Sequence, residues 1–266
     1  MESRLSTIFF PPEGGRYGAA VVYVPGLWAG PQVWRGLGGY LAHRGWEGHA
    51  VDLRPVAGGI GDRAAAVAEF ARRLPAPPIL VGHDAGAIVA LAAANQGSAA
   101  AIALIAPLVP GRPEIQGLVS RWGMLGALLR GRPMSPPSGH AAALLLGDLP
   151  PSARLPVEAE LGPDSPVAIL DVVRGRIDPP SAGRLPAIVL AGDRDTLLAP
   201  DAAEAFATSV GAEHRVLPDA GHWPLAGPGW HRTVDVLHRW LVQRLGEPLL
   251  ELYPEAMADR DADDGE

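Results

Sequence analysis

Short apolar runs alternate with longer amphipathic stretches along most of this chain. Apolar and β-branched clusters at residues 5–10, 19–24, 47–53, 79–81, 99–106, 187–190 and 213–217 predict strands. Between them, residues 31–44, 62–74, 87–94, 201–210 and 230–245 read as helices, with Asp62 as the expected N-cap of the second. Strands that alternate with helices call for an α/β fold: a mostly parallel central sheet with helices on both faces.

The rhythm breaks at residues 107–183. This stretch is rich in Pro, Gly and Leu, with short helical pieces around 114–130, 138–147 and 165–175. It reads as an inserted helical cap over one edge of the sheet. The expected organisation is therefore a core of residues 1–106 and 184–250, a cap of residues 107–183, and a tail of residues 251–266. The tail is acidic and poor in apolar residues, so it is expected to be disordered.

The chemistry concentrates where strands end. The run Ile79-Leu80-Val81 leads into Gly82-His83-Asp84-Ala85-Gly86, and a helix begins directly afterwards. Small residues at both ends of that turn let strand and helix pass closely. The turn lifts Asp84 above the sheet, beside a helix N-terminus that favours negative charge. An ordinary strand-to-helix turn capped by Asp84 is the plain alternative. Two later loops argue for more. Gly192-Asp193-Arg194-Asp195 follows the strand at 187–190, and Ala220-Gly221-His222-Trp223 follows the last strand.

In order and placement these three features resemble the α/β-hydrolase fold family, over about residues 5–245. The resemblance implies a nucleophile elbow at residues 82–86, with Asp84 where serine is usual. It implies His222 as the general base and Asp195 as its orienting acid, with Asp193 the near rival. It implies an oxyanion hole from the backbone N–H groups of Leu27 and Ala85. Trp28, His83, Trp122 and Trp223 are the expected substrate-pocket residues, with cap or core packing the alternative for the last two.

Asp at the elbow resembles the branch containing epoxide hydrolases and haloalkane or haloacetate dehalogenases. A carboxylate attacks an activated sp3 carbon better than an ester carbonyl. The leaving-group residues depart from that branch. The chain's four tyrosines are Tyr17, Tyr23, Tyr40 and Tyr253, so the cap has none, and Ala85 stands where dehalogenases place Trp. Trp28, Trp122 and His140 are the candidate replacements. Two chemistries therefore stay open. One is hydrolysis through an alkyl ester on Asp84. The other is a lyase, isomerase or cyclase reaction with Asp84 and His222 as acid and base. Ester hydrolysis and plain ligand binding are weaker readings.

Composition narrows the rest. Hydrophobic residues make up 48% of the 266, enough for a large core. There is no Cys and no Lys, which removes thiol and lysine Schiff-base chemistry. The net charge is −7, and the tail holds seven acids against one Arg. No basic face suggests a nucleic-acid partner. No apolar run reaches spanning length and no signal segment opens the chain, so a cytoplasmic protein with no membrane partner is expected, as monomer or homodimer. No metal or other cofactor is implied, and the expected partner is a largely apolar small molecule.

Overall fold

The computed structural model describes residues 5–14, 17–97 and 99–245. The acidic tail lies outside these residues.

Seven strands form one sheet: β1 (Thr7–Phe10), β2 (Val21–Val24), β3 (Gly48–Val51), β4 (Ile79–Asp84), β5 (Ala101–Pro107), β6 (Ala187–Gly192) and β7 (Glu213–Leu217). Their spatial order is β1-β3-β2-β4-β5-β6-β7; β1 runs antiparallel to β3 and every other pairing is parallel. All residues of the central strands β4 and β5 are buried, as helices on both faces require. Edge strand β7 exposes Arg215 and Val216.

The helices of the core are α1 (Arg35–His43), preceded by a 3-10 turn over Pro31–Trp34, then α2 (Ile60–Ala71) and α3 (Ala85–Gln96). After the sheet resumes come α8 (Pro200–Val210) and α9 (Trp230–Leu245). α9 buries Val234, Leu237, Trp240 and Leu241, an apolar stripe at helical spacing. α3 is buried along nearly its whole length, so it packs as a core element against β4 and β5. Asp62 is not the N-cap of α2. Gly59 is, and Asp62 sits three positions in, its carboxylate accepting from the Gly59 N–H at 2.9 Å.

Between β5 and β6 lie a 3-10 turn at Pro113–Leu118 and four helices: α4 (Arg121–Arg130), α5 (His140–Leu146), α6 (Pro151–Glu160) and α7 (Pro166–Val173). Sequence periodicity does not announce α6, because it opens on Pro151 and carries Pro156. Proline at the first helical position sacrifices no hydrogen bond, which lets the helix start there. This inserted segment is bonded to the sheet's loops. Thr196 Oγ1 donates to Leu144 O at 3.3 Å, and Asp148 accepts from Gly221 N at 3.0 Å. Ser165 Oγ donates to the carbonyls of Ala57 and Gly58 at 2.8 and 2.9 Å, and Asp171 accepts from Ile60 N at 3.0 Å.

The loops that follow β2, β4, β6 and β7 all leave from the carboxyl edge of the parallel sheet. Side chains far apart in sequence meet there.

Candidate active site

β4 runs directly into α3, and Asp84 is the corner. Its backbone has φ 57° and ψ −131°, a conformation that an L-residue holds only when its surroundings impose it. The surroundings do so here. Asp84 O accepts from Leu108 N at 3.1 Å. A Cβ on Gly86 would collide with the carbonyl groups of Val24 and Pro25, and one on Gly26 would lie 2.5 Å from Asp84 Cβ. Glycine at 26 and 86 is what lets the β2 loop, the corner and α3 converge.

That convergence points two N–H groups at one oxygen. Asp84 Oδ1 accepts from Leu27 N at 3.0 Å and also from Ala85 N at short range. Asp84 Oδ2 faces His222 Nε2 at 3.2 Å, and His222 Nδ1 meets Asp195 Oδ2 at 2.9 Å. Asp195 Oδ1 accepts from Leu197 N at 2.8 Å and Leu198 N at 3.1 Å. All three side chains are buried, Asp84 to 1% exposure. Asp193 is exposed and stays apart, its N–H bonded to Leu217 O.

Burial alone would push the imidazole of His222 down. The charge and hydrogen bond of Asp195, joined by those of Asp84, override it and raise the ring to about 10. Burial likewise pushes both carboxyl groups up, but His222 holds each below its ordinary range. The resting arrangement is carboxylate, imidazolium, carboxylate.

His83 faces the other way along the turn. Its Nε2 donates to the backbone carbonyl of His222 at 2.9 Å, and Trp223 packs edge-on against its ring at 4.6 Å between centroids. Burial, reinforced by the charge of His222, pushes His83 down to about 4, so it stays neutral and serves as a prop for the histidine loop. Trp28 is fully buried beside Leu27, and its Nε1 has no partner among the described residues. Two expectations are corrected. Trp122 is 81% exposed on α4, so it neither walls a pocket nor packs in the core. His140 is exposed at the start of α5, and no hydrogen bond joins it to Asp84, His222 or Asp195 among the described residues. Both lie in an apolar-rich stretch, where sequence alone does not say which face turns outward.

Sequence reading missed a second buried cluster. Asp164 accepts from Trp28 N at 2.7 Å and from Ser165 N at 2.6 Å, and forms a close ion pair with Arg63. Gly162 N donates to Trp28 O at 2.8 Å. The inserted segment thus holds both backbone groups of the residue after Leu27. One signal existed: Arg63 sits on the apolar stripe of α2 with Ile60, Ala64 and Val67. Nothing local marks Asp164 as its partner, 101 positions away.

Residues 21–236 match the profile of the Alpha/beta hydrolase family. The chain belongs to that family. It is an enzyme of the hydrolase class by membership, with the family's fold. No curated protein matches the sequence. Among solved structures, a thermophilic esterase from Thermogutta terrifontis superposes with a TM-score of 0.69 at 21% identity, covering 91% of this chain and 94% of that one. A monoacylglycerol lipase from Paleococcus ferrophilus gives 0.69 at 17%, covering 92% and 100%. MenH from S. aureus gives 0.67 at 12%, covering 90% and 98%. At such identities the likeness establishes the fold, and the chemistry has to be argued from the site.

Proposed function

We propose that this α/β hydrolase uses Asp84 as a nucleophile on an activated sp3 carbon, of epoxide or alkyl-halide type, in a largely apolar small molecule. The observation that carries this reading is the pair of N–H groups, Leu27 and Ala85, gathered on Asp84's own Oδ1. In an acyl-transfer site such donors wait for the substrate's carbonyl oxygen. Here that place is held by residue 84, so the oxyanion they serve is one formed on Asp84.

In the first step Oδ2 attacks the carbon. A C–O bond forms, the bond to the leaving group breaks, and its electron pair departs with that group. Trp28 Nε1, a buried donor without a partner among the described residues, is the candidate to receive the developing charge. The ester so formed has lost the negative charge of Asp84. One of the two carboxylates that raise His222 is then gone, so the imidazolium gives up its proton, to the departing group or to solvent, and the ring stands neutral when water must be activated. His222 takes a proton from water, and hydroxide adds to Asp84 Cγ. The oxyanion on Oδ1 rests against Leu27 and Ala85. Collapse releases the alcohol and restores the carboxylate, now carrying one oxygen from water.

A single turnover in heavy-oxygen water is expected to label the peptide containing Asp84, and His222→Ala is expected to accumulate an adduct on it. A productive substrate that leaves neither mark would remove the covalent step. One observation favours a second reading. The imidazolium and carboxylate of the resting site form a ready acid and base, suited to a lyase, isomerase or cyclase reaction. That reading predicts loss of turnover in Asp84→Asn with no adduct ever seen in His222→Ala.

A further inference from the structure

The inserted segment carries a surface unlike the rest of the molecule. On the ten-residue helix α4, Trp122 is 81% exposed and Leu129 77%, and Leu125 and Leu128 are also turned to solvent. Only Met124 of that helix is buried. The same helix supplies one wall of a groove of about 400 Å³ against α7, lined among others by Arg121, Leu128, Leu170 and Arg174. Large exposed apolar side chains gathered in one place mark a surface with a partner.

The charges around this face have one sign. From Ile115 to Gly147 the chain holds Arg121, Arg130 and Arg132 and no Asp or Glu, in a protein whose net charge is −7. All three arginines are exposed, and Arg174 and Arg176 stand exposed at the end of α7 beside the same groove. None of these five forms an ion pair with an acidic side chain among the described residues.

We propose that this face docks on an anionic lipid bilayer. Trp122 and Leu129, with Leu125 and Leu128, enter the boundary between headgroups and acyl chains, while the five arginines meet lipid phosphates. A second copy of the chain fits less well. A helix of this length is about 15 Å long and about 10 Å across, far short of the roughly 800 Å² per partner of a standard interface. A two-fold contact would also press arginines against arginines. The expectation of no membrane partner rested on the absence of a spanning run. Among the described residues no helix is long and apolar enough to cross a membrane, but a helix that lies in the interface needs no such length.

The test is co-sedimentation of the full chain with vesicles of phosphatidylcholine alone or mixed with phosphatidylglycerol. Binding is expected to the mixed vesicles, about tenfold weaker to phosphatidylcholine alone, and to fall steeply in about 0.5 M salt. Trp122→Ala with Leu129→Ala should weaken it at least about tenfold, and Arg130→Gln with Arg132→Gln by about fivefold for each arginine. These residues are exposed, and far-ultraviolet circular dichroism checks that both double variants fold. No binding to either vesicle would overturn the proposal, as would binding that ignores all four substitutions. So would a dimer in light scattering that the Trp122/Leu129 variant converts to monomer, since the face would then belong to a second copy.

Discussion

The loop at residues 26–28 lies between two buried ionic clusters built from different chemistry. On one side Leu27 donates to Asp84, which pairs with His222, whose other ring nitrogen pairs with Asp195. On the other Trp28 donates to Asp164, which pairs with Arg63. Each cluster must offset the desolvation of its charges with partners inside the protein. The Asp164 cluster uses a guanidinium, which keeps its proton at any ordinary pH and forks across both carboxylate oxygens. It is a clamp with one state. The Asp84 cluster uses an imidazole, which can lose its proton, so the same kind of burial there creates a group able to change state. The difference teaches that burial of charge alone does not mark chemistry; the capacity of the counter-ion to titrate does.

The largest effect expected is at the titrating cluster. Asp84→Ala or His222→Ala should lower turnover by about 10⁶-fold, and Asp195→Asn by about 10⁴-fold, with the fold retained. Equal stability and near-normal turnover in either would dissolve the distinction between the two clusters. Next comes the clamp. Asp164→Asn should destabilise the protein by about 3–5 kcal/mol in urea unfolding, because it leaves the Arg63 guanidinium buried without its counter-charge. The double change Arg63→Met with Asp164→Leu should recover much of that loss while turnover stays depressed, since Trp28 N loses its acceptor.

pH sharpens the contrast. His222 is raised to about 10 in the folded state, above an unfolded value of about 6.5. Its contribution to stability is therefore full below about pH 6.5 and lost as pH rises towards 10. Asp84 and Asp195 are held low by the same contacts, so theirs is present above an unfolded value of about 4 and lost in acid. Urea midpoints measured between neutral and alkaline pH should fall in the native protein and stay flatter in His222→Gln. The smallest effect expected is from Trp122→Ala, within about 0.5 kcal/mol of the native stability, because the ring touches solvent more than protein.

The strands β2, β4 and β5, the glycines of the corner, and the order Asp84, Asp195, His222 were legible in the chain itself. They depend on local chemistry: apolar runs that must be buried, and a corner with no room for a Cβ. The choice between Asp193 and Asp195 was legible only through family likeness, because both carboxylates share one loop and its curvature sets which turns inward. Asp164 was not legible, since its partners lie on α2 and the β2 loop, far away in sequence. The outward face of α4 was hidden for a related reason. Its apolar residues do not by themselves mark which side turns inward, and only the packing of α7 against one side fixes which of them find cover. Sequence by itself determined what must be buried and which chemistries the chain possesses. Tertiary structure decided which charges share a counter-ion and which apolar side chains go without a neighbour, because both are set by contacts between segments that no local pattern encodes.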